Sequence, residues 1–205
     1  MKKIICYGDS NTFGHNAIEF KRYDENTRWC GILKKNMSDK AEIIEMGLNG
    51  RTVGTDESLI SDRNAAKTIE SELQAYNADI IIIMLGTNDC KTDYKYSADD
   101  IAGHMDLLLK KVKNISPASR ILLVSPVPMT EKCSASSLGF DINSSDVSKQ
   151  LSEKYQLLAQ KHQINFTDAG KWNVELTGDG CHYTADGHKT FAENIIKVIS
   201  DILQF

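Results

Sequence analysis

Short apolar segments rich in β-branched residues recur along the chain and predict five strands. They are Lys3–Tyr7, Ala41–Met46, Ile80–Leu85, Arg120–Ser125 and Ile164–Thr167. The third segment is apolar at every position, which is typical of a strand covered on both faces of a parallel sheet. We therefore expect a parallel sheet between two layers of helices.

Apolar residues at helical spacing lie between these segments and predict crossover helices. The clearest patterns run through Ile101–Val112, Val147–Leu158 and Phe191–Ile202, and two further helices are predicted over Trp29–Met37 and roughly Ser61–Tyr76. Strand and helix thus alternate. This order predicts an α/β fold, a three-layer α/β/α sandwich with a five-stranded parallel sheet in the doubly wound, flavodoxin-like arrangement.

The stretch Val127–Asp146 is the least regular part of the chain. It is rich in serine and leaves the carboxyl end of the fourth predicted strand. A connection of this length either faces the substrate, contacts another subunit, or simply crosses the surface. The sequence leaves these alternatives open.

Length, charge and the lengths of the apolar runs narrow the classes of protein to which the chain can belong. The chain has 205 residues, 41% of them hydrophobic, which suits one domain over residues 1–205. Its net charge of −4, with no basic run, argues against a nucleic acid partner. Apolar runs are far shorter than the roughly 18 residues of a membrane span, and the first strand leaves no room for a leader. We expect a cytoplasmic protein with no membrane span.

Five scattered cysteines, with no Cys-x-x-Cys pair, indicate neither a disulfide framework nor a zinc site. An odd number of cysteines cannot pair completely within one chain. We expect buried, reduced thiols at Cys6, Cys30, Cys90, Cys133 and Cys181.

Four candidate positions each follow a predicted strand. Ser10 follows the first strand, Gly50 the second, Asn88 the third and His182 the fifth. Open α/β sheets bind ligands beyond the carboxyl ends of their strands. We therefore expect these four residues to lie on one rim of the sheet.

Ser10, His182 and Asp179 have the chemistry of a nucleophile, a general base and an acid that orients the base. A serine hydroxyl becomes nucleophilic when a base takes its proton, and an imidazole can do so near neutral pH. Asp179 lies three positions before His182 and can hold its second ring nitrogen. Taken singly, each motif has a plain alternative, a helix N-cap for Ser10 and a surface turn for Asp179–His182.

Acyl transfer also needs hydrogen-bond donors aimed at the developing oxyanion. The Asn88 side chain offers an amide, and Ser10 and Gly50 offer backbone N–H groups, the latter because a missing Cβ permits close approach. The plain alternative for the segments carrying Gly50 and Asn88 is an ordinary turn after a strand.

In this order the motifs resemble the four blocks of the SGNH hydrolases, the GDSL esterase and lipase superfamily, over essentially the whole chain. Asn11 stands where the motif name has leucine. The segments Arg28–Gly31, Glu45–Thr52 and Met84–Asp89 narrow the resemblance to the arylesterase-like branch, which includes acetyl esterases and acyltransferases.

The resemblance implies the SGNH hydrolase fold and a serine acyl-enzyme mechanism without metal or organic cofactor. It implies that Ser10, Asp179 and His182 are catalytic and that Ser10, Gly50 and Asn88 form the oxyanion hole. Asp9 and Asp89 are expected to brace the turns that carry Ser10 and Asn88. The implied partner is a small-molecule ester, and self-association is left open because relatives of this branch often form homo-oligomers.

The sequence thus predicts a carboxylic ester hydrolase, a serine esterase that hydrolyses, or also transfers, short acyl groups. The alternatives on the same site are a lysophospholipase or thioesterase and a carbohydrate O-acetyl esterase, with Trp172 or Tyr183 stacking on a sugar. The polar Val127–Asp146 stretch offers no apolar lid, which favours short acyl groups. A nucleotide-binding module is disfavoured because no phosphate-loop or Gly-x-Gly-x-x-Gly spacing is present, and a catalytically inactive module because all the site residues are present.

Overall fold

The computed structural model describes residues 1–54 and 61–204 and alternates strands with helices. In chain order the elements are β1 (Lys2–Gly8), the short helix α1 (Ser10–Phe13), β2 (His15–Asn16), β3 (Lys21–Arg22), α2 (Trp29–Asn36), β4 (Ala41–Gly47), α3 (Ala65–Leu73), β5 (Ile80–Met84), α4 (Ala98–Ile115), β6 (Arg120–Ser125), α5 (Ile142–His162), β7 (Asn165–Asp168) and α6 (Ala185–Leu203). The five predicted strands are all present.

Five strands form one parallel sheet in the order β4-β1-β5-β6-β7. The chain steps outward from β1 to β4 and then returns past β1 to β5. The order of the strands therefore reverses beside the carboxyl end of β1, the position at which such sheets bind ligands. Ser10 directly follows β1 at this switch point.

Each face of the sheet carries its own apolar core. Along β5, Ile81 and Ile83 pack on the side of α3, α4 and α5, whereas Ile80, Ile82 and Met84 pack on the side of α2 and α6. Every residue of β5 is buried. The uninterrupted apolar run in the sequence thus arises because a strand covered on both faces has no solvent side.

The helices are amphipathic, with one buried face and one polar face. In α4, for example, Ile101, Met105 and Leu108 are buried, while Lys110 is exposed and pairs with Asp106. Among the described residues no helix combines the length and the apolar character needed to cross a membrane.

The predicted elements differ from the structure at three places. The helix expected over Ser61–Tyr76 is a short 3₁₀ turn followed by α3, because the Asn64 side chain accepts from the Lys67 N–H and starts a new helix. The last five residues of the Val127–Asp146 stretch belong to α5, which Asp141 caps. The β2–β3 hairpin was not predicted, since two-residue strands leave no periodic pattern.

Candidate active site

Buried side chains hold the turn that carries Ser10 in place. The Asp9 carboxylate accepts the Asn11 N–H at 3.0 Å and caps the short helix α1. The Trp29 indole N–H donates to the Asn11 carbonyl at 3.0 Å, so α2 also anchors the turn. Asp9, not Ser10, is the helix N-cap, and the N-cap interpretation of Ser10 is therefore wrong.

The Ser10, His182 and Asp179 side chains form a continuous hydrogen-bonded chain. Ser10 Oγ lies 3.0 Å from His182 Nε2, and His182 Nδ1 lies 2.7 Å from Asp179 Oδ2. Ser10 and His182 are 7% and 6% exposed, which is incompatible with a mere surface turn. The arrangement allows the imidazole to take the hydroxyl proton while the carboxylate holds the ring.

Asp179 stays ionised because its loop surrounds it with donors. Burial alone would raise the pKa of the Asp179 carboxyl, but hydrogen bonds from the His182 side chain and N–H, the Thr177 hydroxyl and the Cys181 N–H hold that pKa well below its usual range. A carboxylate that remains negative is the partner that stabilises an imidazolium.

Asn11 connects the turn of the nucleophile to the loop of the histidine. Its Nδ2 donates to the Cys181 carbonyl at 3.2 Å, and its Oδ1 accepts the Tyr183 N–H at 3.1 Å. These two contacts flank His182 in sequence. Because leucine has neither a donor nor an acceptor, the departure from the motif name gives Asn11 a structural task that the sequence analysis did not assign.

Gly50 and Asn88 lie beside Ser10 in a pocket of about 210 Å³. Gly50 has a φ of +76°, a conformation that favours glycine. Within the described part of the chain, the backbone N–H groups of Ser10 and Gly50 donate to no other group. The Asn88 amide donates one hydrogen to the Arg51 carbonyl at 3.1 Å, which leaves its second N–H for a ligand.

A buried arginine holds the segment of Gly50 against the sheet. The Arg51 guanidinium is 3% exposed, lies over the Tyr7 ring and donates to the carbonyls of Gly8 and Met46. Its Nη2 pairs with Glu72 at 2.5 Å. Arg51 thus joins the carboxyl ends of β1 and β4 to the backbone segment that carries the Gly50 donor and accepts a hydrogen bond from Asn88.

The carboxyl groups of Asp9 and Asp89 are buried below the pocket. Burial raises the pKa of Asp9 to about 6 and that of Asp89 to about 7, although backbone N–H groups partly oppose both shifts. Both Asp89 oxygens lie 3.0 Å from the Val53 nitrogen. Asp9 therefore braces the Ser10 turn as expected, whereas Asp89 ties its own turn to the segment that follows Gly50.

Several residues of the pocket were not expected from the sequence. His15 lines it, and its ring lies edge-on to the His182 ring at 4.8 Å. Leu138 and Phe140, from the Val127–Asp146 stretch, form its apolar side, and Arg63 and Lys91 complete its polar side. Of these residues, the sequence indicated only Leu138 and Phe140, because the Val127–Asp146 stretch follows a strand that ends on this rim.

The two aromatic residues considered for sugar stacking do not line this pocket. Tyr183 is fully buried, packs against Phe191 and donates its hydroxyl to Met84 Sδ. Trp172 also packs against Phe191, in the core on the side of α2 and α6. The expectation that they stack on a substrate is therefore wrong.

Solved structures of esterases resemble the chain over nearly its whole length. A carbohydrate acetylesterase from Sinorhizobium meliloti is 28% identical, with a TM-score of 0.91 over 98% of this chain and 100% of that one. The native aryl esterase of M. smegmatis is 29% identical, with a TM-score of 0.91 over 98% and 99% of the two chains. These likenesses confirm the predicted SGNH hydrolase fold.

Sequence comparison leads to the same class of enzyme. A GDSL esterase/lipase of Arabidopsis thaliana is 23% identical over 97% of this chain and 79% of its own length. The model of the GDSL-like Lipase/Acylhydrolase family matches residues 6–190, which include every residue of the pocket described above. The chain therefore belongs to the GDSL-like lipase/acylhydrolase family and is a carboxylic ester hydrolase.

Proposed function

We propose that the protein hydrolyses esters through an acyl-enzyme formed on Ser10. The observation that carries this proposal is the hydrogen-bonded chain from Ser10 Oγ through His182 to Asp179. Ser10 Oγ attacks the ester carbonyl carbon while its proton passes to His182 Nε2. Asp179, ionised and bonded to Nδ1, stabilises the imidazolium that forms.

The negative charge of the tetrahedral intermediate falls on the former carbonyl oxygen. We assign its donors to the backbone N–H groups of Ser10 and Gly50 and to the free N–H of Asn88. The intermediate collapses when His182 returns its proton to the leaving alkoxide, which departs as an alcohol. Water, deprotonated by the same imidazole, then attacks the acyl carbon and releases the acid and free Ser10.

The acyl group is proposed to be short. The pocket beside Ser10 measures about 210 Å³, smaller than the roughly 300–1,000 Å³ of typical small-molecule sites. Its apolar side consists of Leu138 and Phe140. This size supports acetyl or similarly small acyl groups over the long chains of a lysophospholipase or thioesterase substrate. Acyl transfer to an alcohol uses the same acyl-enzyme and remains part of the proposal.

Carbohydrate O-acetyl esters are the second candidate substrates. The observation that favours them is the structural likeness to a carbohydrate acetylesterase. Within this pocket, Asn49, Arg63 and Lys91 are polar side chains suited to bind hydroxyl groups. An acetylated sugar therefore belongs in any substrate series.

The cellular setting is also proposed. All five cysteines are buried and free, which supports a reducing, cytoplasmic location. The acidic net charge supports a small-molecule partner without nucleic acid.

Residues 1–205 are proposed to act as one domain. Ile18 and Phe20, 73% and 84% exposed on the β2–β3 hairpin, support self-association, which light scattering tests.

Two measurements test the proposed reaction. An organophosphonate should label Ser10, as mapped by mass spectrometry of the modified peptide, because within residues 1–54 and 61–204 this hydroxyl alone is bonded to the imidazole of His182. Rates on 4-nitrophenyl esters should fall from acetate to decanoate, with acetylated xylose measured alongside. Labelling at another serine, or none while esterase activity persists, contradicts the assignment of Ser10, and a preference for decanoate contradicts the assignment of short acyl groups.

A further inference from the structure

Two cationic side chains enter the pocket of Ser10, and they come from different parts of the chain. Arg63 ends the 3₁₀ turn before α3, and Lys91 follows Asn88 after β5. Arg63 Nη1 lies 2.7 Å from the position that a Cβ on Gly50 would occupy, which puts the guanidinium directly beside a proposed oxyanion donor. Lys91 Nζ lies 5.8 Å from the centre of the Phe140 ring on the apolar side.

Neither cation has a carboxylate within ion-pair distance in the part of the chain that the structure describes. No ion pair within residues 1–54 and 61–204 involves Arg63 or Lys91, and the residues lining the pocket include no Asp or Glu. Elsewhere, the partly buried Arg28 pairs with Glu45 and the buried Arg51 pairs with Glu72.

An unpaired cation held partly out of water is costly unless an anion joins it. Arg63 and Lys91 are both half-buried. Burial lowers the pKa of the Lys91 ammonium and the nearby Arg63 charge lowers it further, while Cys181 and Asp93 partly oppose the shift. The chain as a whole has a charge of −4, so a local positive site within its pocket is not a consequence of overall composition.

We propose that Arg63 and Lys91 select esters that carry a negatively charged group next to the ester bond. This inference rests on the proposed function, since it assigns a substrate class to the same pocket. A guanidinium presents a planar fork that matches a carboxylate, and an ammonium adds a compact charge. A carboxylate held between them lies close to the Gly50 donor and thus close to the reacting carbonyl.

The experiment compares matched pairs of charged and neutral esters. For a charge on the acyl side the pair is 4-nitrophenyl hydrogen succinate and 4-nitrophenyl butyrate. For a charge on the alcohol side the pair is 4-acetoxybenzoate and its methyl ester. The readout is the ratio of kcat/KM for the charged ester to that for its neutral partner, because the ratio cancels changes in the chemical step shared by both.

Arg63→Gln and Lys91→Gln should each lower this ratio about tenfold for at least one pair, the effect of losing one charge-assisted hydrogen bond. The pair that responds identifies the side of the ester that carries the charge. Lys67→Gln is the matched control, since Lys67 is exposed on α3 and changes the net charge equally. Arg63→Lys, which keeps the charge, should lose less than Arg63→Gln. Raising the salt concentration should lower the ratio of the unmodified protein.

The inference is overturned if, for both ester pairs, the ratio of kcat/KM for the charged ester to that for its neutral partner is the same in four proteins. These are the unmodified protein, Arg63→Gln, Lys91→Gln and Lys67→Gln. In that case, the proposed function still stands if the neutral esters are hydrolysed and this hydrolysis requires Ser10. Failure of the unmodified protein to hydrolyse any of the four esters, with no organophosphonate label on Ser10, contradicts the proposed function itself. The salt dependence needs no variant, so the inference can be judged even where Arg63→Gln does not fold.

Discussion

The two halves of the candidate site are held in place by different kinds of group. On the triad side, Asn11 joins the turn of Ser10 to the loop of His182 through an uncharged amide. On the oxyanion side, the segment of Gly50 is held by the buried side chains of Arg51 and Asp89. The link between the Ser10 turn and the His182 loop is therefore neutral, whereas the Gly50 segment is held by ionisable groups.

The groups that support the two sides of the site differ in how their protonation depends on pH. An amide keeps its hydrogen bonds at any pH, and the pKa of Asp179 lies well below its usual range, so the link between the Ser10 turn and the His182 loop does not titrate near neutrality. On the triad side, the buried support with a raised pKa is Asp9, at about 6. The pKa of Asp89, raised by burial to about 7, places a proton change directly under the oxyanion donors. The Asn11 link between the two halves of the triad is therefore insensitive to pH, whereas the Asp9 brace and the Asp89 support of the Gly50 segment both change protonation near neutrality.

The largest effect is expected from the triad itself. Ser10→Ala and His182→Ala should each lower kcat by about 10⁴- to 10⁶-fold, because the two groups act as one unit. For the same reason the double variant should be no slower than either single variant. Initial rates on 4-nitrophenyl acetate measure this, and losses that multiply in the double variant would contradict the shared role.

On the oxyanion side, Asn88→Ala should lower kcat by about 10²- to 10³-fold, or about 2.7–4 kcal/mol, with little change in KM. The amide is proposed to bind the developing oxyanion more strongly than the ester. Steady-state kinetics separate the two constants. A change in KM alone would place Asn88 in substrate binding instead.

Breaking the neutral support should cost both stability and rate. Asn11→Leu leaves the buried Cys181 carbonyl and Tyr183 N–H unpaired, at about 1–3 kcal/mol each, and lets His182 move relative to Ser10. We expect kcat to fall by up to about 10²-fold. Denaturant unfolding and kinetics measure the two effects. Asn36→Leu, an exposed site on α2, is the control, and equal behaviour of the two variants would show that Asn11 holds nothing.

The dependence of stability on pH sharpens the comparison further. Folded Asp89 keeps its proton up to about pH 7, whereas the unfolded carboxyl loses it near pH 4, so its contribution to the free energy of unfolding falls as pH rises between these values. The limit is about 1.4 kcal/mol per pH unit.

Asp89→Asn has no such proton. The stability of the unmodified protein minus that of Asp89→Asn should therefore decrease from pH 4 to pH 7 and level off above it. Urea unfolding at a series of pH values measures this difference. A difference that does not vary with pH would show that Asp89 is ionised throughout that range.

The sheet could be predicted because its signal is local. The apolar run of β5 and the alternation of strands with helices follow directly from burial on both faces, so strand positions and the rim of the site emerged from sequence alone. The family blocks then identified Ser10, Gly50, Asn88 and His182 as candidates, and the structure brings all four into one pocket.

What could not be predicted depends on contacts between distant segments. Arg63 lies thirteen positions after Gly50, and no local pattern in the sequence places its side chain beside that glycine. The role of Asn11 depends on backbone groups at positions 181 and 183. Such pairings arise from the order of the strands, which brings β1 into the centre of the sheet.

The Asn11 contacts also bear on when the enzyme becomes active. They span 170 and 172 positions, so the connection closes a loop of most of the chain. Loop closure on this scale costs conformational entropy that only the assembled sheet can offset. During synthesis, Ser10 emerges from the ribosome early but meets its base only after residue 182 has followed. A nascent chain should therefore be unable to hydrolyse esters until its last loop has docked against its first turn.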